Sequence, residues 1–390
     1  MQAKIKILFT YANTSELGGA DFCLHKLATA LDPKRFDVHV ALSRSCDLDV
    51  RYAQAGIQVH HIPMPRLQVT KNPLRLVYYA LFGFRAVILL VRLLRELDID
   101  IVHGNDLLDF YGPIAARLKG AKAIQHVRMI LRPGMIKEAI IRLALFINDR
   151  VVAISDGVAK AMFEKEGIVP QKVVMIYDWN DMKTVGHSDR IGTFRQELGI
   201  GEDVLLIGTV GRLQAWKGQH VFIEAAKLVA DKVGNVFFTI CGSPVAGRGR
   251  EAYALQLRAL ANNLGLANKM RFTGYRTDIA NLMTAFDIFV HSAVEPEPFG
   301  LVVMEASECG TPVVAARAGG VPEIVLEGES GFLHNPGDSV ALANCIHEMI
   351  RMGSDGRKKM GQKGKEYVME KFAREGLAAR FEALYASLLV

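Results

Sequence analysis

The segment EPFGLVVMEA places two glutamates, Glu297 and Glu305, eight positions apart around a turn that precedes a predicted helix. Backbone N–H groups in the first turn of a helix have no partner within the helix, and the helix dipole favours anions there. Ionised carboxylates could accept hydrogen bonds from sugar hydroxyls nearby. Alternatively, Glu297 only caps the helix and Glu305 is solvated. The N–H groups that could bind a diphosphate or hydroxyls belong to Phe299, Gly300, Leu301 and Val302.

A second segment, GTVGRLQAWKG, places Arg212 and Lys217 in a glycine turn that begins at Gly211, after a predicted strand. Two cations at the carboxyl end of a strand could neutralise a departing diphosphate. The P-loop pattern GxxxxGK[ST] is absent. The alternative is that both are ordinary surface residues beside a turn.

Paired glycines, Gly18 and Gly19, follow the first predicted strand. Glycines before a helix allow the backbone to approach a ligand closely. The pattern is not GxGxxG, which argues against a dinucleotide-dependent oxidoreductase. A plain tight turn explains the two glycines equally well.

Two sets of predicted strands could position these residues. Short apolar runs alternate with helical patterns such as residues 21–31 and 106–118, which is typical of parallel sheets covered on both faces. We therefore predict an α/β protein with two doubly wound domains. The runs are residues 5–11, 38–42, 58–62, 99–103, 123–127 and 151–154, then 204–210, 236–241, 270–272, 288–290, 313–315 and 331–333.

Residues 177–201 are polar and predict a linker between the two sets. We expect an N-terminal domain over residues 1–180 and a C-terminal domain over 181–373. The last stretch, residues 374–390, predicts a helix with one apolar stripe, which we expect to cap the second domain. Ligands of doubly wound sheets bind outside the carboxyl ends of the strands, so a site in a cleft between the domains is expected.

The five cysteines are scattered and never form a CxxC pair. They predict reduced thiols in a cytoplasmic protein and no zinc site. Residues 1–180 contain 24 Lys and Arg against 17 Asp and Glu, whereas the rest contains 23 against 24. The first half should therefore meet an anionic partner. The basic residues are not interleaved with stacking aromatics, which argues against nucleic acid.

Residues 74–97 are strongly apolar with a helical pattern, and residues 66–95 contain six basic and no acidic residues. Residues 131–148 repeat this mixture with Arg132, Lys137 and Arg142. Such mixtures suit the surface of an anionic membrane, although a buried helix of a large domain explains residues 74–97 equally well. No segment has 18 uncharged apolar residues, so we predict no transmembrane helix.

Together the motifs resemble those of glycosyltransferase family 4. EPFGLVVMEA corresponds to its E-x7-E motif, Gly211-Arg212-Leu213 with Lys217-Gly218 to G-R-L-x3-K-G, GGVPEI at 319–324 to G-G-x-P-E-x, and residues 328–337 to its G-x-x-G-x-L-x-x-P-G tail. The resemblance is strong over 204–340 and weak over 40–120. It implies the GT-B fold, in which two Rossmann-like domains face each other across a cleft.

The resemblance also implies roles for these residues. Arg212 and Lys217 would bind the donor diphosphate and stabilise it as it leaves. Glu305 would hold the ribose hydroxyls, and Glu297 would contact the donor sugar. Backbone amides of residues 299–301 would bind sugar hydroxyls and phosphate, while Gly18 and Gly19 would approach the diphosphate from the first domain. His126 matches a family histidine that contacts the donor sugar, although Val127 replaces the frequent Asp beside it; a lone histidine at a strand end is otherwise usually structural.

The function implied is that of a retaining hexosyltransferase. It would move a sugar from a nucleotide diphosphate donor, by default a UDP-sugar, to a polysaccharide or lipid-linked glycan acceptor. We identify no paired-aspartate motif for a divalent metal beside the candidate donor-site residues, so we expect metal-independent transfer without a cofactor. We also expect a cytoplasmic protein associated peripherally with the membrane. The alternatives are a catalytically silent scaffold that binds nucleotide sugars and an epimerase or phosphorylase on the same fold.

Overall fold

The computed structural model describes residues 3–12, 17–68, 70, 72–180, 192–244 and 251–390. The chain divides into two compact units. Unit 1 comprises Met1–Trp179 and Arg374–Val390, and unit 2 comprises Asn180–Ala373. Each unit is built on a parallel β-sheet.

The sheet of unit 1 has the strand order β3-β2-β1-β4-β5-β6-β7, and all its pairs are parallel. Helices cross between most successive strands, as parallel pairing requires. The strands are β1 Ile5–Tyr11, β2 Phe36–Leu42, β3 Gln58–His61, β4 Ile101–Gly104, β5 Lys122–Val127, β6 Arg150–Ala153 and β7 Val173–Met175. The helices are α1 Gly19–Ala30, α2 Leu48–Gln54, α3 Pro73–Glu96, α4 Tyr111–Lys119, α5 Met135–Ile147, α6 Asp156–Phe163 and, after the chain has returned from unit 2, α14 Arg374–Ser387.

The prediction that the last helix caps the second domain is wrong, because α14 lies in unit 1. Its apolar stripe packs on the first sheet, where Tyr385 lies edge-on to Phe9 and Phe36. The Tyr385 hydroxyl also lies 2.8 Å from Nδ1 of His103. An apolar stripe predicts that a helix is covered, but it does not specify which sheet covers it.

Unit 2 has the strand order β10-β9-β8-β11-β12-β13, again parallel throughout. The strands are β8 Leu205–Val210, β9 Val236–Cys241, β10 Met270–Gly274, β11 Ile288–His291, β12 Val313–Ala316 and β13 Gly331–His334. The helices are α7 Phe194–Leu198, α8 Gln219–Ala230, α9 Glu251–Asn263, α10 Ile279–Ala285, α11 Leu301–Glu308, α12 Ser339–Arg351 and α13 Gly353–Lys371, with short 3-10 turns at Ala215–Lys217 and Val321–Glu323.

Part of the expected linker is structured. Helix α7 lies within it. The helix is anchored by Phe194, which is buried and packs edge-on against Phe286, with ring centroids 6.1 Å apart. Arg195 of the same helix forms an ion pair with Asp287. Residues 181–191 of that stretch lie outside the described residues.

The strand order of unit 2 explains where its ligands can bind. Strands β8 and β11 are neighbours at the centre of the sheet, and the chain winds outward from them in opposite directions. The loops that follow the two strands therefore separate and leave a crevice at their carboxyl ends. Arg212 and Lys217 follow β8, and Glu297 follows β11.

Helix α3 of unit 1 is unusual because most of it is exposed. By length and composition it is the one helix in the described residues that could cross a membrane, with a mean hydropathy of 1.8 over an 18-residue window of which 22% is buried. The prediction of no transmembrane helix rested on the arginines within it. Its buried residues form one stripe, Gly83, Ala86, Leu90 and Leu94.

Candidate active site

The loops after β8 and β11 of unit 2 pack backbone against backbone. Gly218 has φ +67°, and a Cβ there would lie 1.9 Å from the carbonyl oxygen of Ser292. The Val294 N–H donates to the carbonyl oxygen of Trp216 at 2.9 Å. Only glycine allows this approach with that backbone conformation. The lysine of the first loop is thereby held beside the glutamate of the second.

A third loop holds Glu297 from the other side. Gly319 has φ +65°, and a Cβ there would lie 1.9 Å from the carbonyl oxygen of Glu297. The Gly320 N–H donates to that same oxygen at 2.9 Å. The paired glycines Gly319 and Gly320 therefore support the backbone of Glu297. A larger residue at Gly319 would prevent this close approach.

The side chains of Lys217 and Glu297 form an ion pair, and each is about one-seventh exposed. His291, at the end of β11, lies on the same carboxylate, with its Nε2 3.4 Å from Oε2 of Glu297. The ammonium group of Lys217 also lies 4.3 Å from the ring centroid of Trp216, a cation–π contact. The lysine is therefore fixed in place by two partners.

The carboxylate of Glu297 is ionised at neutral pH. Burial by itself would raise its pKa, but the charge of Lys217 and the hydrogen bond and charge of His291 outweigh burial and lower the pKa to about 2. Glu297 is therefore only an acceptor of hydrogen bonds.

Arg212 differs from Lys217 because its side chain is exposed. Its carbonyl oxygen accepts a hydrogen bond from Nε2 of Gln219 at 3.0 Å, which fixes the backbone of the turn. Gly211, one residue earlier, has φ +157° and donates its N–H to the carbonyl oxygen of Cys241 at 2.9 Å. The arginine thus projects from a constrained turn and is accessible to an anion.

Helix α11 begins directly after the loop that carries Glu297. Its N-cap, Gly300, has φ +109°. Phe299 is buried against Phe372, with ring centroids 5.5 Å apart, and so anchors the helix start. Leu301 and Val302 form the first helical turn, where backbone N–H groups are available to an anion.

Glu305 is the fifth residue of α11 and is half-buried, so it is not fully solvated, and the N-cap of the helix is Gly300 rather than Glu297. The structure thus brings Lys217 and Glu297 into contact and places Phe299, Gly300, Leu301, Val302 and Glu305 on the segment that follows Glu297.

Gly18 and Gly19 lie at the start of α1 in unit 1. Gly18 is the N-cap, and its N–H donates to the Asp21 carboxylate at 2.9 Å. Nearby, Nδ2 of Asn105 donates to the carbonyl oxygen of Ala20 at 3.0 Å. The glycines therefore belong to a capped helix start, and their predicted contact with a diphosphate stays a prediction.

His126 lies at the end of β5 and is completely buried. Its ring packs on those of His103 and Phe381, at centroid distances of 5.2 and 5.6 Å. Burial, assisted by the charges of Arg128 and His103, lowers the pKa of His126 well below its ordinary value. Its ring is therefore neutral and enclosed here, and the predicted contact with the donor sugar stays a prediction.

Sequence reasoning missed the polar cluster around His126. Arg128 forms a buried ion pair with Asp178, donates to Oδ1 of Asn105 at 3.1 Å, and places its Nη2 3.2 Å from Nδ1 of His126. The position of Arg128 in the QHVR segment was a usable signal. Asp178 offered none, because it lies about fifty residues away in the expected linker.

Two known protein families match separate parts of the chain. Residues 18–179 match the "Glycosyl transferase 4-like domain", and residues 191–367 match "Glycosyl transferases group 1". The two matches fall in unit 1 and unit 2 respectively.

Individual relatives agree with these matches. The chain is 32% identical over 231 residues to D-inositol 3-phosphate glycosyltransferase of Thermobifida fusca, covering 56% of this chain and 52% of that one. It is 25% identical over 252 residues to N-acetyl-alpha-D-glucosaminyl L-malate synthase of Bacillus anthracis, covering 64% and 62%. Each alignment thus spans only about half to three-fifths of the relative.

A solved structure matches over nearly the full length. HepE of Anabaena, solved in complex with UDP and glucose, superposes with a TM-score of 0.80 at 28% identity, covering 98% of this chain and 100% of that one. This likeness and the two parallel sheets show the GT-B fold. With both units matched and the motifs in place, the chain belongs to glycosyltransferase family 4.

Proposed function

We propose that this protein is a retaining glycosyltransferase that moves a hexose from a UDP-sugar to a polysaccharide or lipid-linked glycan. The observation that carries the proposal is the contact between Lys217 and Glu297 at the central crevice of unit 2. Both residues come from family motifs that lie far apart in the sequence. UDP is favoured as the donor nucleotide because HepE was solved with UDP and with UDP-glucose.

In this proposal the cations of unit 2 stabilise the leaving diphosphate. Negative charge develops on the diphosphate as the bond to the sugar breaks, and the sugar becomes oxocarbenium-like. Glu297 and Trp216 hold Lys217 beside the crevice, so its positive charge is already close to where the negative charge develops. Arg212 supplies a second, exposed cation, and the first turn of α11 supplies backbone N–H groups.

The two glutamates divide the recognition of the donor. Glu297 is ionised and accepts hydrogen bonds from hydroxyls of the sugar. Glu305 accepts hydrogen bonds from the ribose hydroxyls. Unit 1 holds the acceptor in this proposal, with Gly18 and Gly19 near the diphosphate and His126 near the donor sugar.

The experiment is a panel of nucleotide sugars incubated with the purified protein, with and without lipid and glycan extracts as acceptors. Release of nucleotide diphosphate together with a glycosylated product that keeps the anomeric configuration of the donor is expected. Binding without turnover would favour a silent scaffold. Conversion of the donor sugar without release of nucleotide would favour an epimerase.

We further propose that unit 1 docks on an anionic membrane, where a lipid-linked acceptor would be found. Three large apolar side chains of α3 are mostly exposed to solvent: Leu74 at 79%, Phe84 at 70% and Leu81 at 65%. Together they form an exposed apolar surface of the kind that marks an interaction site. The opposite stripe of the helix is buried in unit 1. A helix held by one stripe presents the other to the membrane surface, which favours a helix that lies on the bilayer.

Helix α5 repeats the pattern. Met135 and Phe146 are 90% and 80% exposed, and both α3 and α5 pack against α4. The exposed arginines Arg85, Arg92 and Arg95 accompany the apolar residues of α3. Each basic residue near an anionic surface contributes about 1 kcal/mol, and salt weakens this attraction.

The membrane test is co-sedimentation with neutral vesicles and with vesicles containing phosphatidylglycerol. We expect binding only to the anionic vesicles, reversed by high salt. Replacing Arg85, Arg92 and Arg95 with Glu should weaken binding by roughly 100-fold or more. Lys34→Glu with Lys122→Glu and Lys165→Glu, three exposed lysines elsewhere in unit 1, is the matched control and should bind with little change. Binding that survives an alkaline carbonate wash would instead indicate a spanning helix.

A further inference from the structure

His291 belongs to no motif that the sequence analysis singled out, yet it is buried at the centre of unit 2. It is the last residue of β11 and is 4% exposed. Nε2 of His334 lies 3.3 Å from its carbonyl oxygen, on the neighbouring side of the sheet. The backbone of His291 is therefore held in place by this contact and by its strand, six residues before Glu297.

One carboxylate oxygen of Glu297 serves two partners. Lys217 and His291 both contact Oε2, the histidine through its Nε2 at 3.4 Å. Because Glu297 is ionised and only accepts hydrogen bonds, the hydrogen of this contact must lie on Nε2 of His291. Within the part of the chain that the structure describes, Nδ1 of His291 has no hydrogen-bond partner. The contact with Glu297 is thus the one polar contact that orients the imidazole ring.

Lys217 has a competing partner whenever a donor is bound. A flexible ammonium group can turn from a single carboxylate toward a diphosphate, which carries more negative charge. If Lys217 were the sole support of Glu297, this turn would leave a largely buried carboxylate without a donor, which is costly. The rigid imidazole of His291 has no such alternative.

We propose that His291 is a positioning residue for Glu297. Its Nε2–H keeps the carboxylate aimed at the donor sugar while Lys217 neutralises the diphosphate. The inference rests on the proposed function, since it assigns a second support to the glutamate that recognises the sugar. It predicts a residue that affects the sugar-dependent step and leaves nucleotide binding unchanged.

The experiment compares His291→Gln, whose amide N–H reaches a similar position, with His291→Leu, which fills similar space without a donor. We expect the Leu variant to lose about 10-fold or more in kcat and the Gln variant to stay within about threefold of wild type. The affinity for UDP alone should be unchanged in both, and thermal melting should show both folded. Wild-type kcat in the Leu variant, or equal losses in the two variants, would overturn the proposal.

Turnover by the wild type reports on the proposed function, whereas the comparison of the variants reports on His291. If the wild type binds UDP-sugars without turnover, the affinity for UDP-glucose relative to UDP replaces kcat as the readout. A ratio that falls only in the Leu variant supports the positioning role, and equal ratios in all three proteins overturn it. A wild type that binds no nucleotide sugar removes the proposed function and this inference together.

Discussion

Two buried histidines at strand ends, one in each unit, have opposite surroundings. His291 of unit 2 donates to a carboxylate, and that carboxylate meets a partly exposed lysine. His126 of unit 1 faces the guanidinium of Arg128, whose charge is already paired with the buried Asp178. Both are buried histidines near the carboxyl end of a parallel strand, so the charged partner and its exposure decide what each histidine can do.

The comparison separates charges that are enclosed from charges that are available. In unit 1 the Arg128–Asp178 pair is enclosed, and its ion pair and hydrogen bonds are internal to the fold. In unit 2 Arg212 is exposed and the side chain of Lys217 is 15% exposed. We therefore expect substitutions in unit 2 to affect activity, and substitutions around His126 to affect stability first.

The largest effect is expected from the two cations. Arg212→Ala and Lys217→Ala should each lower transfer by about 100-fold, equivalent to ~3 kcal/mol of lost electrostatic stabilisation. Arg212→Ala should leave the melting temperature unchanged, whereas Lys217→Ala should cost about 1–3 kcal/mol because Glu297 loses a partner. Lys227→Ala, on the surface of α8, is the control. Folded variants with near-normal rates would remove both residues from the site.

Substitutions of the two glutamates should change different kinetic constants. A ribose contact is made equally before and during reaction, so Glu305→Ala should raise KM and weaken UDP binding by about 10-fold with a smaller change in kcat. A contact with the sugar strengthens as charge develops, so Glu297→Ala should lower kcat by about 10-fold or more. Titration of UDP against both variants and against the exposed control Glu329→Ala checks this. Equal losses of UDP affinity in the first two would refute the division of roles.

The buried histidine His103 of unit 1 should make the free energy of unfolding depend on pH. Burial, followed by the charge of Arg128, lowers the pKa of His103 to about 3. The unfolded chain then binds the extra proton below about pH 6.5, so the stability supplied by His103 is complete above that pH and decreases as the pH falls toward 3. His103→Asn should reduce this slope by about 1.4 kcal/mol per pH unit between pH 6 and 4.

Asp109 contributes with the opposite sign. Burial raises its pKa to about 7, so its contribution to stability decreases as the pH rises from about 4 to 7. Because the two contributions oppose each other, only the difference between a variant and the wild type is informative. Asp109→Asn should change the slope of unfolding free energy against pH in the direction opposite to His103→Asn. Urea unfolding can be followed by Trp179 of unit 1 in a Trp216→Phe background, since the chain has two tryptophans. A His103→Asn slope equal to that of the wild type would contradict the enclosed, neutral histidine.

The smallest effect is expected from metal removal. Residues 181–390, which contain the donor-site motifs, have no D-x-D aspartate pair, and Arg212 and Lys217 supply the positive charge in the proposed mechanism. Transfer should therefore be unchanged in excess EDTA. Loss of activity that Mg²⁺ or Mn²⁺ restores would show that a divalent ion supplies part of that charge.

The loops of the candidate site in unit 2 could be identified from the sequence because they contain glycine turns. Gly218 and Gly319 are required by close backbone approaches, so they mark the loops that carry Lys217 and Glu297. Nearly all strands were also predicted, because buried parallel strands are short apolar runs. Strand β7 was missed because it has only three residues, Val173–Met175.

Other features needed three-dimensional contacts. A five-residue helix such as α7 shows no periodicity, and its anchor Phe194 is a single apolar residue in a polar stretch. His291 lies in an apolar strand and gives no sign of the glutamate six residues later. The exposure of α3 was also open, because an apolar pattern fits a buried helix and a membrane surface alike.

Hydrogen exchange of the backbone, measured with and without saturating UDP, tests most directly whether unit 2 holds the donor. We predict slower exchange in residues 211–218 and 297–305, where the glycine turn and the start of α11 would meet the diphosphate and ribose. Residues 36–61 of unit 1, which include β2 and β3, should exchange as before. Protection confined to other segments, or none while UDP is bound, would contradict the assignment of Lys217, Glu297 and their loops to the donor site.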